Sequence, residues 1–420
     1  MPFSDATLAL WAISALAIVG ILLRPWNLPE YVWAGGAALL VTATGLVPWQ
    51  AALGAVGKGL DVYLFLIGMM VLAELARQQG LFDWLAMVAA RHARGSARRL
   101  FDLVFLVGIL VTVFLSNDAT AVVLTPAVYA AAKAAGARPL PYLFICAFIA
   151  NAASFVLPIS NPANLVVYGS QMPPLLDWLR QFTLPSVAAI ALTYLALRYT
   201  QRDALRQPLQ ADIPAQPLSA GARLTGLGII LTAIVLMLAS AFNADLGLPT
   251  FIAGLATAAG IHLRQRISPM PVLRHVAWGV LPMVAGLFVL VEGLALSGAI
   301  DALARALVQL ASQSAGQSLW GAGIVSALAS NLINNLPAGL IAGSVGQIAH
   351  LPAQTTGALL IGVDLGPNLS ITGSLATLLW LIAVRREGQH VSGLAFLKLG
   401  ARVMPPALLG ALLALALTGG

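Results

Sequence analysis

Two carboxylates lie inside stretches that are otherwise apolar enough to sit in lipid. Asp118 belongs to FLSNDATAVVLTP and Asp364 to LLIGVDLGPNLSITGSLATLLW. An ionisable side chain at membrane depth is costly and marks a functional site by default. A desolvated carboxyl favours its neutral form, which suits a carrier of protons. The competing role for each is structural, as a cap on amides left unpaired where a helix stops. Around them the chain places neutral donors and acceptors. These are Ser116, Asn117, Ser160, Asn164, Ser330, Asn331, Asn334, Asn335, Asn368 and Thr372. Such a lining favours a small polar solute with little charge, or a cation held by backbone carbonyls. Some of these residues serve only to satisfy loose backbone.

The polar residues fall at interruptions. Pro367 has no amide hydrogen and Gly366 weakens a helix at the same point, so the Asp364 stretch is a broken span. VLPISNPANLVVYG (156–169) is a second break, and both contain NLxxxG, at Asn164 and Asn368. Backbone freed in this way is tolerable at membrane depth only where protein or a watery cavity satisfies it. Interrupted membrane helices of this kind carry the binding sites of ion-coupled transporters.

Of the 420 residues 60% are hydrophobic and 9% charged, and the mean hydropathy is +0.90. A soluble domain carries about 25% charged residues, so the chain reads as an all-α polytopic membrane protein embedded in the lipid bilayer. Its net charge of +7 sits in short loops and is no signal for nucleic acid. Cys146 is the only cysteine and the five histidines fall in or beside loops, so no metal site and no cofactor is expected. HExxH, P-loop and dinucleotide-binding patterns are missing, and an intramembrane protease would need a histidine or paired-aspartate arrangement that the chain lacks. The opening MPFSDATLAL has no basic region of a cleaved signal and reads as a retained first span.

Apolar runs near the membrane thickness place spans at about 7–23, 30–47, 60–78, 183–199, 223–241, 249–264, 278–296 and 401–418, with broken spans at 141–178 and 353–384. Short paired runs around Ser116-Asn117 (100–134) and Ser330-Asn331 (318–349) read as re-entrant hairpins. The halves match. Gly68, Glu74, Gly80 and Asp83 correspond to Gly286, Glu292, Gly298 and Asp301 at a constant offset of 218. This duplication of Glu74 and Glu292 points to architecture. The expected plan is about ten transmembrane helices plus two hairpins, with repeat 1 at 1–199, a cytoplasmic linker at 200–222 and repeat 2 at 223–420. Five crossings per half make these inverted-topology repeats. With the 78–100 loop cytoplasmic, only Lys58, Arg180 and Arg305 of the 22 basic residues fall outside, as the positive-inside rule asks. Both termini then face the outer side, and the hairpins enter from opposite faces.

With these features in hand the chain resembles the ion transporter superfamily. Within it, NDATAVVLTP, NNLPAG and above all DLGPNLSITGSLATLLW resemble the arsenical pump membrane proteins, the arsenite efflux permeases, over essentially the whole chain. The resemblance implies an elevator-type transporter with a scaffold of spans 1–3 and 6–8 and a mobile part of hairpins and remaining spans. It implies arsenite and antimonite as substrates, export across the bacterial inner membrane, and arsenic resistance. It leaves open a cytoplasmic arsenite-stimulated ATPase on the basic inner loops. The chain departs from the family pattern at Asn368, where some members carry a basic residue, and near Asn151, where some carry an acid. Arsenite near neutral pH is mainly the uncharged trihydroxide, so uphill export needs a coupled ion. One proton moving inward supplies roughly 2.3 kcal/mol per 100 mV, and Asp118 and Asp364 are the candidate carriers. A sodium/proton antiporter or a sodium-coupled anion carrier on the same fold is the alternative. The orientation has a direct check. Single cysteines at Arg94 and Arg206 should be protected from an impermeant reagent outside intact cells, and ready labelling of both would refute it.

Overall fold

The computed structural model describes residues 5–418, and the regular structure in that range is helical apart from one isolated bridge between Ser96 and Pro208. Four helices are long and apolar enough to cross a membrane unaided, at Asp5–Leu23, Leu175–Thr200, Ala220–Ala241 and Gly393–Leu417. Two bent pairs bring the number to six: Trp49–Lys58 with Leu60–Gln78 at 46°, and Val280–Leu296 with Ala299–Leu310 at 72°. Of the other expected crossings, Gly247–Gln265 is one uninterrupted helix of 19 residues and the rest are shorter or interrupted helices. Terminal residues 1–4 and 419–420, with which the expected termini begin and end, lie outside the described range.

Most elements fall where the apolar runs put them, and the differences have physical causes. The fifth span is one helix, Leu175–Thr200, that continues through Pro185 and takes up residues 175–178 of the expected broken span. The last span likewise starts at Gly393, eight residues before the apolar run, because Ser392 caps it by accepting from Ala395 N. The polar 78–100 stretch contains a helix, Leu81–His92, and its counterpart in the second half is Ala299–Gln313. Here the duplicated residues explain themselves. Gly80 and Gly298 both begin the helix in the left-handed region (φ 73° and 78°), where a side chain is disfavoured. Asp83 and Asp301 then fall in the positive first turn.

Two bodies result. In the first, Leu60–Gln78 packs on Gly247–Gln265, while Val280–Leu296 packs on Glu30–Ala43. These are the same pair of elements with the halves exchanged. Both crossings are close enough to exclude side chains. A Cβ on Gly68 would come within 2.3 Å of the Thr250 carbonyl oxygen, and one on Gly286 within 2.6 Å of the Ala34 carbonyl oxygen. Small residues at such crossings replace the hydrophobic driving force that lipid removes. The second body holds both hairpins, both broken spans and the paired last helices, Leu175–Thr200 against Gly393–Leu417. The linker is strapped under the first hairpin rather than loose: Leu209 N donates to Gly95 O, Gln210 N to Ala135 O, and Leu205 and Ile213 are buried.

Gly68→Val and Gly286→Val should each destabilise the first body by about 1–3 kcal/mol through overpacking. Gly35→Ala, where an added Cβ meets nothing within 4 Å, should be neutral. Thermal unfolding of the purified protein in detergent checks the contrast.

Candidate functional site

The first hairpin turns at its Ser-Asn motif, whereas in the second Ser330 and Asn331 lie inside the last turn of a helix and the chain reverses just after it. The first runs from Ala97–Phe114 through residues 115–118 into a π-helical stretch, Ala119–Leu124, and on to Thr125–Ala134. Such π-helical insertions recur at functional sites. The second runs from Ala315–Ile333 to Asn335–Ala349 and turns at Asn334, whose φ of 74° is tolerated by asparagine. The first broken span is Leu140–Ala152 followed by Pro162–Tyr168, and the second is Ala353–Leu365 followed by Leu375–Arg386. The second segment of each broken span packs on the hairpin of the other half: Pro162–Tyr168 on Asn335–Ala349, and Leu375–Arg386 on Ala119–Leu124.

This crossing brings both tips and both breaks to one point. A water-sized cavity of about 20 Å³ is lined by Asn117, Asp118, Asn161, Pro162, Asn335, Leu336, Leu375 and Ala376, closed by Leu66 and Val280 of the first body. The helices Asn335–Ala349 and Leu375–Arg386 both start here, so their positive dipole ends border the cavity, with one amide of each held by a cap, Leu336 N by Asn334 and Thr377 N by Ser374. The Asp118 side chain makes no capping hydrogen bond to the stretch Ala119–Leu124 that it precedes. It also lines a larger cavity of about 380 Å³, together with Ser116, Glu74, Arg77, His275 and Arg386. A third cavity, of about 690 Å³, holds Lys58, Asp61, Asp245, Glu292 and Gln347. The two large cavities approach opposite ends of Leu60–Gln78: Asp61 lies in its first turn and Arg77 in its last. Their walls carry the duplicated glutamates, each paired. Arg77 donates to both Glu74 oxygens at 2.5 and 2.7 Å, and Lys58 Nζ to Glu292 Oε2 at 2.7 Å.

Asp364 is placed differently. It is 0% exposed, with Ser154 Oγ 2.6 Å from Oδ2 and Asn161 Nδ2 donating to Oδ1 at 2.8 Å. Asn161 thus borders the small cavity on one side and holds Asp364 on the other.

Of the neutral candidates, Ser116, Asn117 and Asn335 line the cavities with Asp118. The rest brace broken backbone. Asn164 Nδ2 reaches the carbonyls of Ser154, Leu157 and Pro158. Ser160 Oγ donates to Val113 O, and Ser330 Oγ to Ser326 O. Asn331 Nδ2 donates to Ala327 O and Gly366 O, while Thr372 Oγ1 donates to Asn331 O. Asn334 Nδ2 donates to Thr372 O, and its Oδ1 accepts from Leu336 N. Asn368 Nδ2 donates to Phe148 O, and its Oδ1 accepts from Asn151 Nδ2 at 3.0 Å, so the two positions that depart from the family pattern touch. Sequence reasoning missed Asn161 and Ser154. The Asn161-Pro162 pair, a strong breaker, was the signal for the first; Ser154 carried none.

The chain matches the family described as citrate transporter (CitMHS) over residues 8–384. It is 30% identical to an arsenical pump membrane protein of Yersinia enterocolitica over 84% of this chain and 85% of that one. It is 28% identical to one from Escherichia coli K12 over 97% of both. In fold it is similar to the YdaH transporter of Alcanivorax borkumensis, with a TM-score of 0.58 at 15% identity over 92% of this chain and 97% of that one.

The division of labour is testable. Asn164→Ala takes this partner from the Ser154 and Pro158 carbonyls, while Leu157 O keeps Ser160 N, and should cost stability, about 1–3 kcal/mol for each group left without a partner. Asn335→Ala should leave the unfolding temperature nearly unchanged and alter transport instead, whereas Asn117→Ala should affect both, because Asn117 Oδ1 also accepts from Asp118 N.

Proposed function

We propose, on the premise that the chain belongs to the citrate transporter family and to the arsenical pump membrane proteins, that it exports arsenite in exchange for protons. The observation that carries this reading is the convergence of both tips and both breaks on Asp118. Arsenic trihydroxide has three hydroxyls that donate and accept. Once the water-sized cavity widens to admit it, its oxygens can accept from the free amides opening Asn335–Ala349 and Leu375–Arg386, and its O–H groups can donate to Asp118 and to the Asn117 and Asn335 amide oxygens. Antimonite, of the same shape and charge, fits the same description. Arsenate does not, because the small cavity has no lysine or arginine to match its charge and Asp118 repels it.

The cavity beside Arg77, His275 and Arg386 is the cytoplasmic vestibule in this reading, and the Lys58–Glu292 cavity is the outer one. Repeats 1–199 and 223–420 are inverted, both termini lie outside, and the protein sits in the bacterial inner membrane. The body of hairpins and broken spans moves as an elevator against the first body and carries the site between the vestibules. Asp118, reached from the vestibule, and Asp364 behind it supply the proton coupling. The basic cytoplasmic loops suit an acidic partner such as an ATPase.

A second reading, sodium-coupled carboxylate transport, is favoured by Arg77 and Arg386 on the cavity that contains Asp118.

Expression should lower arsenite accumulation in cells lacking other exporters, with arsenate content unaffected when its reduction is blocked. Asp118→Asn should lose uphill exchange in proteoliposomes while still binding arsenite, whereas Glu74→Gln, outside the small cavity, should keep most of it. Sodium-dependent citrate uptake with no arsenite flux would replace the first reading by the second.

A further inference from the structure

The hydrogen bonds around Asp364 do not balance unless one more proton is present. Ser154 Oγ lies 2.7 Å from the Asn151 carbonyl oxygen and 2.6 Å from Asp364 Oδ2. A hydroxyl has one proton to give. With an ionised carboxylate both neighbours are acceptors, and one of these short contacts is left with no hydrogen in it. The orientation of Asn161 is settled by its other bond: Oδ1 accepts from Ala163 N, so Nδ2 faces Asp364 Oδ1 as a donor. The missing proton therefore belongs on Oδ2. The same network has further acceptors to spare, since Asn151 Oδ1 and Asn164 Oδ1 are buried without a partner.

No charge compensates the site either. The helices Leu140–Ala152, Pro162–Tyr168, Ala315–Ile333 and Asn335–Ala349, all packed against Ala353–Leu365, contain no charged side chain. Their titratable groups are Tyr142, which donates to Ala97 O, Cys146, which faces Tyr142 O, and Tyr168. On the long helices that also touch this element, Asp177 pairs with Arg180 and Arg198 with Asp102, while Lys398 and Arg402 are exposed. Across Asn161, the nearest acid by the cavity lining is Asp118. Asp364 also occupies the last turn of Ala353–Leu365, beside the end of Leu140–Ala152. Both negative dipole ends oppose an anion there and favour a cation.

We propose that Asp364, Ser154 and Asn161 form a buried proton-binding site joining the two broken spans. Asp364 Oδ2 carries the proton and donates it to Ser154 Oγ; Ser154 donates onward to Asn151 O; Asn161 donates to Oδ1. Asp364 belongs to the second broken span, and its two partners, Ser154 and Asn161, to the first. When the proton leaves, the hydroxyl is contested by two acceptors and an uncompensated charge stands in the protein interior, so the joint must rearrange as the site empties. Proton occupancy is thereby tied to the relative position of the two breaks. This deepens the proton-exchange reading above, and its test reads protonation without reference to transport or arsenite.

Infrared difference spectroscopy of the full-length protein in sodium-free lipid films, at about pH 8 and so well above the ordinary carboxyl range, reads the proton directly. A protonated-carboxyl C=O band should persist there, disappear in Asp364→Asn, remain in Asp118→Asn, and shift in Ser154→Ala as its hydrogen bond is lost. If Asp364→Asn does not fold, the shift in Ser154→Ala still decides. Absence of any such band, its loss in Asp118→Asn but not Asp364→Asn, an unshifted band in Ser154→Ala, or its removal by added sodium chloride would overturn the proposal.

Discussion

A backbone that stops being helical inside a membrane must find its hydrogen bonds within the protein, and the rest of this structure depends on how that is done at the two breaks. The solution is reciprocal. Asn368 of the second broken span caps the Phe148 carbonyl of the first, and Asn151 of the first donates to Asn368. Trp380 Nε1 reaches back to Leu143 O, and Trp178 Nε1 closes Phe155 O. Neither break can be built without the other. Both hairpins are drawn in by the same need, through Asn331 on Gly366 O and Ser160 on Val113 O. The mobile body proposed above is therefore one cross-braced unit, and the site sits where its braces meet.

The duplication was legible in the chain because it rests on repeated residues, whereas the division into two bodies was implied only by the family resemblance. Gly68 and Gly286 repeat since two equivalent crossings each forbid a Cβ, and Gly80 and Gly298 since two equivalent helices start from a left-handed residue. The polar breaks were legible from Pro367 and the NLxxxG pair for the same local reasons. What the pattern could not show was which polar side chains face the cavity. An asparagine that holds a carbonyl and one that faces solute look alike in sequence, and Asn164 and Asn335 differ only in the partners the fold assigns them. Ser154 is the extreme case, an ordinary serine that matters because the chain crossing places Asp364 beside it. The amphipathic helices at Leu81–His92 and Ala299–Gln313 were hidden for a different reason: their polar faces broke the apolar runs that marked the spans.

Helix ends divide the interior electrostatically. Two long segments, Asn335–Ala349 and Leu375–Arg386, present their starts to the Asp118 cavity, so that side offers hydrogen-bond donors and positive dipole ends. Two others, Leu140–Ala152 and Ala353–Leu365, present their ends around Asp364, so that side offers carbonyls and negative ones. A solute rich in oxygen and a proton want opposite environments, and the breaks supply both within one network. Asn161 stands between them, with its amide toward Asp364 and its flank on the cavity.

That geometry constrains how exchange could be obligatory. If solute and proton competed for a single carboxylate, one would displace the other by occupancy alone, and no movement of the breaks would be needed. Here the acid at the cavity and the acid in the joint are different residues on different broken elements, and the joint acid has no lining role in the three cavities around the site. In the exchange proposed above, coupling then passes through the position of the breaks. The Asn161 side chain can hold Asp364 only while the first break keeps its present turn, which the Asn161 Oδ1 bond to Ala163 N and the three Asn164 bonds maintain. A solute that pulls on Asn161 from the cavity loosens the bond to Asp364, and a proton that leaves Asp364 leaves a carboxylate that holds the Asn161 amide more tightly. By thermodynamic linkage these are one coupling seen from two sides, and a single amide between two acids is sufficient to transmit it.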